Sequence, residues 1–172
     1  MVGCRPSGTT CGSSYANLNR MEALYQSMAA LCARREYCCA DIAEKLRKKG
    51  ATHEEAAVLI DRLIEGGYID EGRYARAFVH DKTLYNGWGR IKTAQHLRAK
   101  GICPAYINEA MTCITDEQYA EVFSKVLRSK QRSIKGETDY EVRQKLARSL
   151  IARGFEPSYV FNHLDVDSFE DC

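Results

Sequence analysis

The chain has 172 residues, of which 45% are hydrophobic and 28% are charged, and its formal net charge is +2. This length allows one ordinary core or several small ones, and the net charge is far below the basic footprint usual for a DNA-binding domain. No apolar run is long enough to span a membrane, and no hydrophobic segment follows Arg5 as in a signal peptide. We therefore expect a cytoplasmic protein.

The eight cysteines do not indicate a disulfide framework or a metal site. Cys38 and Cys39 are adjacent, and Cys32, Cys103 and Cys113 fall in apolar helical contexts. The sequence has no paired C-x-x-C motif, and its four histidines are scattered rather than spaced as zinc ligands. We therefore expect reduced thiols, no metal and no cofactor.

Helical periodicity begins after the first 19 residues. Residues 1–19 are rich in Ser, Gly, Thr and Cys and lack a periodic apolar pattern, which predicts a disordered leader. From Arg20 to about Leu164 the apolar residues recur with helical spacing, and few stretches alternate as strands do. The sequence therefore predicts an all-α fold.

A phrase of alanine, leucine, a basic residue and glycine occurs three times, at a spacing of about 50 residues. Alanine and leucine lie on one helical face, the basic residue falls in the last turn, and the glycine stands where a helix end needs a left-handed residue. Each phrase therefore predicts a helix C-terminus within a repeated unit. The three copies contain Ala43, Leu46 and Gly50; Ala94, Leu97 and Gly101; and Ala147, Leu150 and Gly154.

A helix start signal follows each phrase glycine. Thr52 and Glu55 have the spacing of a capping box, while Pro104 and Pro157 stand at a first helical position. Each unit thus holds three helices, and units this small are expected to pack against their neighbours as stacked repeats do. The predicted divisions are a leader at 1–19, three-helix repeats at 20–70, 71–115 and 116–165, and an acidic tail at 166–172.

Aromatic residues mark the first helix of the second and third repeats. Tyr74 and Phe78 lie on the helix expected from about residue 71 to residue 85, and Tyr119 and Phe123 repeat their spacing. Aromatic residues at this spacing are usually part of a core. The third repeat is longer before its phrase, which predicts an extra turn or loop at 133–138.

Trp88 stands between Gly87 and Gly89. The glycines provide backbone freedom, and the indole is expected to fill the gap between helices. Exposed stacking on a nucleic-acid base is the alternative.

Basic residues are segregated along the chain. Residues 82–108 and residues 122–136 each contain five cations and no acid. Lys92, His96 and Lys100 are four apart and form one helical stripe. This pattern favours an anionic or charge-patterned partner, although ordinary solvated helix faces and favourable helix-dipole contacts are the alternative. The candidate partner-binding residues are Arg90, Lys92, His96, Arg98, Lys100, Lys125, Arg128, Lys130 and Arg132.

Two stretches of the second repeat carry a family resemblance. The first is Gly67-Tyr68-Ile69-Asp70 followed by Arg73, Tyr74, Ala75, Phe78 and Val79. The second is Gly87-Trp88-Gly89 leading into Gln95, Leu97, Arg98, Lys100, Gly101 and Ile102. Together they resemble the RecX family, bacterial regulatory proteins that bind and restrain the RecA recombinase. The resemblance covers about residues 22–165 and is strongest at 66–102. Family members commonly have proline after Gly-Trp-Gly and an aliphatic residue three positions further, where this chain has Arg90 and Thr93.

The resemblance implies three tandem three-helix repeats in an elongated, curved, all-α body without enzymatic activity. It also implies a negative regulator that lies in the groove of a RecA filament on single-stranded DNA. There it would hinder ATP hydrolysis, strand exchange and filament extension. We therefore expect a monomer whose partner is the RecA filament, with weak direct DNA contact at most.

Three other classes of function remain as alternatives. Direct DNA binding is the first alternative, because three-helix units with basic helices resemble helix-turn-helix modules. No helix, however, offers a clear set of base-reading side chains at its N-terminal turn. A peptide-binding scaffold would require an apolar or aromatic groove rather than a basic stripe. An enzyme is the least favoured class, since the sequence has no Walker loop, no H-E-x-x-H motif and no nucleophile elbow.

Overall fold

The computed structural model of the protein describes residues 12–164, and its side chains from residue 15 onward. Within that range the chain forms α-helices and no strand, which confirms the all-α prediction. The helices are α1 (Gly12–Cys32), α2 (Cys39–Lys48), α3 (His53–Glu65), α4 (Glu71–His80), α5 (Arg90–Ala99), α6 (Pro104–Met111), α7 (Asp116–Ser133), α8 (Asp139–Ala152) and α9 (Pro157–Leu164). A π-helical turn, Asp81–Tyr85, follows α4.

The chain divides into two compact units, Met1–Asp70 and Glu71–Cys172. In the first unit, α3 packs on α1 and on α2, and their fully buried side chains include Met28, Ile42 and Leu63. In the second unit, α4 packs on α6, α8 packs on α7 and α9, and the π turn packs on α7. The π turn therefore connects the helices before residue 112 with those after it.

The repeated phrase ends a helix in every copy, as predicted. Leu46, Leu97 and Leu150 are fully buried. The glycine that follows each has a positive φ, +81° at Gly50, +79° at Gly101 and +90° at Gly154. A side chain is strained at such φ values, which explains why glycine ends the phrase.

The predicted helix starts are also confirmed. The Thr52 side chain accepts a hydrogen bond from the backbone of Glu55, and the Glu55 side chain accepts one from the backbone of Thr52. Pro104 and Pro157 are the first residues of α6 and α9. The loop predicted at 133–138 lies between the end of α7 at Ser133 and the start of α8 at Asp139.

The N-terminal helix begins earlier than the sequence pattern indicates. Helix α1 starts at Gly12, so residues 12–19 are helical, whereas the sequence predicts a disordered leader there. Apolar periodicity reports burial, and residues 15–20 are exposed, so the pattern gave no signal there. The rest of the leader, residues 1–11, and the predicted tail lie outside the described residues.

The first helix of the second repeat changes its winding near its end. The sequence predicts one helix from about residue 71 to residue 85, but α4 ends at His80 and the last turn is π-helical. The amide of Asn86 donates to the carbonyl of Asp81 at 3.2 Å, and the amide of Trp88 donates to the carbonyl of Lys82 at 2.9 Å. The wide turn leads directly into the Gly-Trp-Gly motif.

Candidate partner-binding surface

The indole of Trp88 lies among aromatic and basic side chains from three elements of the second unit. Its ring centroid is 4.7 Å from that of His96 on α5 and 6.4 Å from that of Phe78 on α4. The Nζ of Lys92 lies 4.5 Å from the indole ring, and the Nζ of Lys82 lies 5.3 Å from it. These five residues are called the Trp88 cluster below.

The Trp88 cluster is a surface feature as well as a packing one. Phe78, Lys82, Trp88 and Lys92 are half-buried, and His96 is exposed. Cation–π contacts at partly exposed rings contribute about 0.5–1 kcal/mol each. The cluster therefore holds two ammonium groups over an aromatic face that solvent still reaches.

Arg98 near the end of α5 and Lys100 just after it differ in exposure. Arg98 is exposed, whereas Lys100 is half-buried at the helix end, where its amide donates to the carbonyls of His96 and Leu97 at 3.1 Å. Lys92 and His96 thus lie in the Trp88 cluster, and the backbone amide of Lys100 caps the end of α5.

Arg90 lies in the joint between the helices of the second and third repeats. Its Nη2 is 2.9 Å from Oδ1 of Asp116, and its Nη1 is 3.8 Å from Oε1 of Glu156. Its guanidinium carbon lies 4.2 Å from the ring centroid of Tyr119. Sequence reasoning placed Arg90 among the partner-binding cations, but its side chain contacts these groups of the third repeat.

The hydroxyl of Tyr119 completes this network. It accepts a hydrogen bond from the backbone N–H of Arg90 at 3.2 Å and donates one to Oε2 of Glu156 at 2.6 Å. Burial, followed by the contact with Glu156, raises the pKa of Tyr119 above its ordinary value of 10.0. The phenol therefore remains protonated at neutral pH and can act as the donor.

The backbone of the Gly-Trp-Gly motif docks on the third copy of the phrase. The amide of Gly89 donates to the carbonyl of Arg153 at 2.9 Å, and the amide of Ile91 donates to the carbonyl of Gly154 at 3.0 Å. In return, Nη1 of Arg153 donates to the carbonyl of Asn86 at 3.1 Å. The N-terminus of α5 and the C-terminus of α8 thus satisfy backbone groups that helix ends leave unpaired.

The four candidate cations on α7 lie in two environments. Lys125, Arg128 and Arg132 are exposed, and Lys130 is half-buried. Lys125 forms an ion pair of 3.8 Å with Glu121 one turn earlier on the helix. Lys125 and Lys130 also line a cavity between α7 and the π turn, which Arg153 shares.

Sequence reasoning missed two basic residues as parts of these sites. Lys82 follows Phe78 by four residues, and this helical spacing could have placed it beside the Trp88 cluster. Arg153 contacts the backbone of Asn86 and Gly87 across more than 60 residues of sequence, and no local pattern reports such a contact.

Among the described residues, no three His, Cys, Asp or Glu side chains lie close enough to bind a metal ion. None of the helices in residues 12–164 combines the length and the hydropathy needed to span a bilayer.

Comparison with known proteins identifies the family. Residues 70–111 match the family model described as RecX, second three-helix domain, and residues 116–162 match RecX, third three-helix domain. Regulatory protein RecX of Mycobacterium sp. (strain KMS) is 27% identical over 153 residues, which cover 87% of this chain and 84% of that protein.

Solved structures share the fold. One is a crystal structure of regulatory protein RecX, with a TM-score of 0.78 and 24% identity. The match covers 94% of this chain and 81% of that RecX chain. The crystal structure of RecX from Lactobacillus salivarius has a TM-score of 0.70 and 18% identity. This match covers 86% of this chain and 98% of the Lactobacillus salivarius chain. The two matched domain models together span more than half of the sequence. On this basis, the chain belongs to the RecX family.

Proposed function

We propose that this protein is a negative regulator of the RecA recombinase that binds the RecA filament on single-stranded DNA. Membership of the RecX family carries the proposal, since the relatives that match most of the chain are named regulatory proteins. Bound along the filament, the protein would inhibit ATP hydrolysis, strand exchange and filament extension. Its role is then regulatory rather than catalytic, and it acts as a cytoplasmic monomer.

The charges of the second unit support an anionic partner. Within residues 12–164, neither Lys82 nor Lys92 forms an ion pair with an acid, and Arg98 is exposed on the same helix as Lys92. Uncompensated cations raise the local positive potential and the rate of association with a negative surface. A nucleoprotein filament presents repeated sites, so several weak contacts of this kind reinforce one another.

Filament pelleting tests the proposed binding. RecA is assembled on single-stranded DNA with a slowly hydrolysed ATP analogue, the protein is added, and the pellet is compared with that from DNA alone. The proposal predicts that the protein pellets with the filament and remains in solution with DNA alone. If the protein stays in solution in both samples, it does not bind the filament and the proposal fails.

Direct DNA binding is a second candidate, and the Trp88 cluster is the observation that favours it. Half-buried aromatic rings with adjacent lysines can stack on bases while the cations contact phosphates. Trp88 is the single tryptophan of the chain, so its fluorescence reports on this cluster directly. Quenching by a thymidine oligonucleotide at micromolar concentration in the absence of RecA would support direct binding. Unchanged fluorescence would leave the filament as the partner.

A further inference from the structure

A cavity of about 240 Å³ lies between the π turn and α7, within the second unit. Its apolar wall is formed by Leu84 and Tyr85 of the π turn and by Val122 and Val126 of α7. The Tyr85 side chain is 76% exposed although it borders this wall. The cavity is thus an open apolar depression, large enough for one side chain of a partner.

The rim of the cavity is cationic. Lys125, Lys130 and Arg153 line it, and none of the ten lining residues, all within residues 12–164, is acidic. Glu121 neutralises Lys125 only in part, at 3.8 Å on an exposed helix face. Lys130 is half-buried and has no acidic partner in the same part of the chain.

Arg153 is held in place at this rim. The carbonyls of Asn86 and Gly87 accept hydrogen bonds from its Nη1 at 3.1 and 3.4 Å. These bonds use one of its nitrogens, and a guanidinium carries five N–H donors in a fixed fork. Since the side chain is already ordered, binding a carboxylate there costs little additional side-chain entropy.

We propose that this cavity binds an acidic peptide segment of a protein partner, with one aliphatic or aromatic side chain inserted between Leu84 and Val126. Carboxylates of the segment would then contact Lys130 and Arg153. Three of the four apolar wall residues are aliphatic, and they match an inserted peptide side chain better than a nucleotide base, whose polar edges require hydrogen-bond partners. This inference goes beyond the proposed function, because it does not depend on the identity of the partner.

Fluorescence anisotropy with the full chain tests the proposal. The probe is a short fluorescein-labelled peptide in which aspartates flank a single leucine. Saturable binding is expected, and replacing the leucine by alanine should weaken it about ten-fold, equivalent to about 1.4 kcal/mol. A wild-type protein that fails to bind the probe below about 1 mM, a binding free energy of about −4 kcal/mol, would overturn the proposal.

Two pairs of variants locate the binding. Lys130→Glu should weaken binding about ten-fold, whereas Arg143→Glu, a reversal at an exposed residue of α8 outside the cavity, should change it less than two-fold. Tyr85→Ala should weaken binding, and Tyr140→Ala, 64% exposed and outside the cavity, should not. Equal losses in both members of each pair would show non-specific attraction and overturn the proposal. Displacement of the probe by a thymidine oligonucleotide more readily than by unlabelled peptide would also overturn it.

Discussion

Gly89 and Gly154 pack backbone against backbone, at the point where α5 begins and α8 has just ended. A Cβ added to Gly89 would lie 2.1 Å from the carbonyl carbon and oxygen of Gly154. No side-chain movement can relieve such a collision, because both groups belong to the main chain. The second glycine of the Gly-Trp-Gly motif is therefore needed for the approach of the third repeat's phrase.

The first prediction concerns Gly154→Ala. A Cβ at Gly154 would lie 2.2 Å from the Cβ of Lys92, and the residue has a φ of +90°. We expect the variant to lose about 1–3 kcal/mol from overpacking, in addition to the strain of a left-handed alanine. Chemical denaturation followed by circular dichroism measures the loss.

Gly101→Ala is the matched control for that prediction. Gly101 ends the same phrase with a φ of +79°, but nothing lies within 4 Å of an added Cβ. This variant should show the backbone strain alone, about 1–2 kcal/mol. Equal destabilisation by the two substitutions would show that the backbones do not approach as described.

The second prediction concerns the phrase leucine of the second repeat. Leu97→Ala should lower the free energy of unfolding by about 2–4 kcal/mol, because the side chain is fully buried and the neighbouring helices cannot fill the cavity. Ile91→Ala on the same helix, where the side chain is 39% exposed, should cost clearly less. A loss below about 1 kcal/mol for Leu97→Ala would mean that the leucine is exposed.

The third prediction concerns pH and Tyr119. Its pKa is raised in the folded state by burial, so the unfolded chain loses this proton first as the pH rises. The contribution of Tyr119 to stability is complete below its ordinary pKa of 10.0 and decreases as the pH rises above that value. Tyr119→Phe should remove this component, and it should also cost about 1 kcal/mol at neutral pH through the lost hydrogen bonds.

Unfolding measured between neutral pH and pH values above 10 separates the two effects of that substitution. Tyr140→Phe, on an exposed residue of α8, controls for the loss of a phenol elsewhere. Parallel stability profiles for wild type and Tyr119→Phe in the alkaline range would contradict the conclusion that folding raises the pKa of Tyr119.

The fourth prediction concerns the basic face of α5. Reversal of Lys92 and Arg98 to Glu should weaken inhibition of RecA and make the remaining binding less sensitive to salt, because fewer cations face the filament. Arg47→Glu combined with Arg143→Glu changes the net charge equally on exposed residues of α2 and α8. If both double variants inhibit as wild type does and both remain folded, the contact surface does not include α5.

Local patterns predict the ends of the helices that carry the phrase. The leucine and glycine of each phrase follow from periodicity and from backbone chirality, both of which act within a few residues. Periodicity does not indicate the start of α1, because residues 15–20 of this helix are exposed and present no buried apolar face.

The site was harder to predict, since its contacts join distant parts of the chain. The sequence predicts Arg90 to be an exposed cation of its own helix. Its hydrogen-bond and ion-pair partner Asp116, however, lies 26 residues away in sequence. Gly154 and Gly101 end copies of the same phrase. Only tertiary packing makes the surroundings of Gly154 crowded and those of Gly101 open. Neither distinction is visible in spacing or composition.

Hydrolysis of ATP by RecA on single-stranded DNA tests the central claim most directly. The rate is measured with preassembled filaments as the wild-type protein is titrated, with bovine serum albumin as a control for added protein. The account predicts a dose-dependent fall in the rate at protein concentrations below that of RecA. An unchanged rate at equimolar protein would contradict the proposal that this chain restrains the RecA filament.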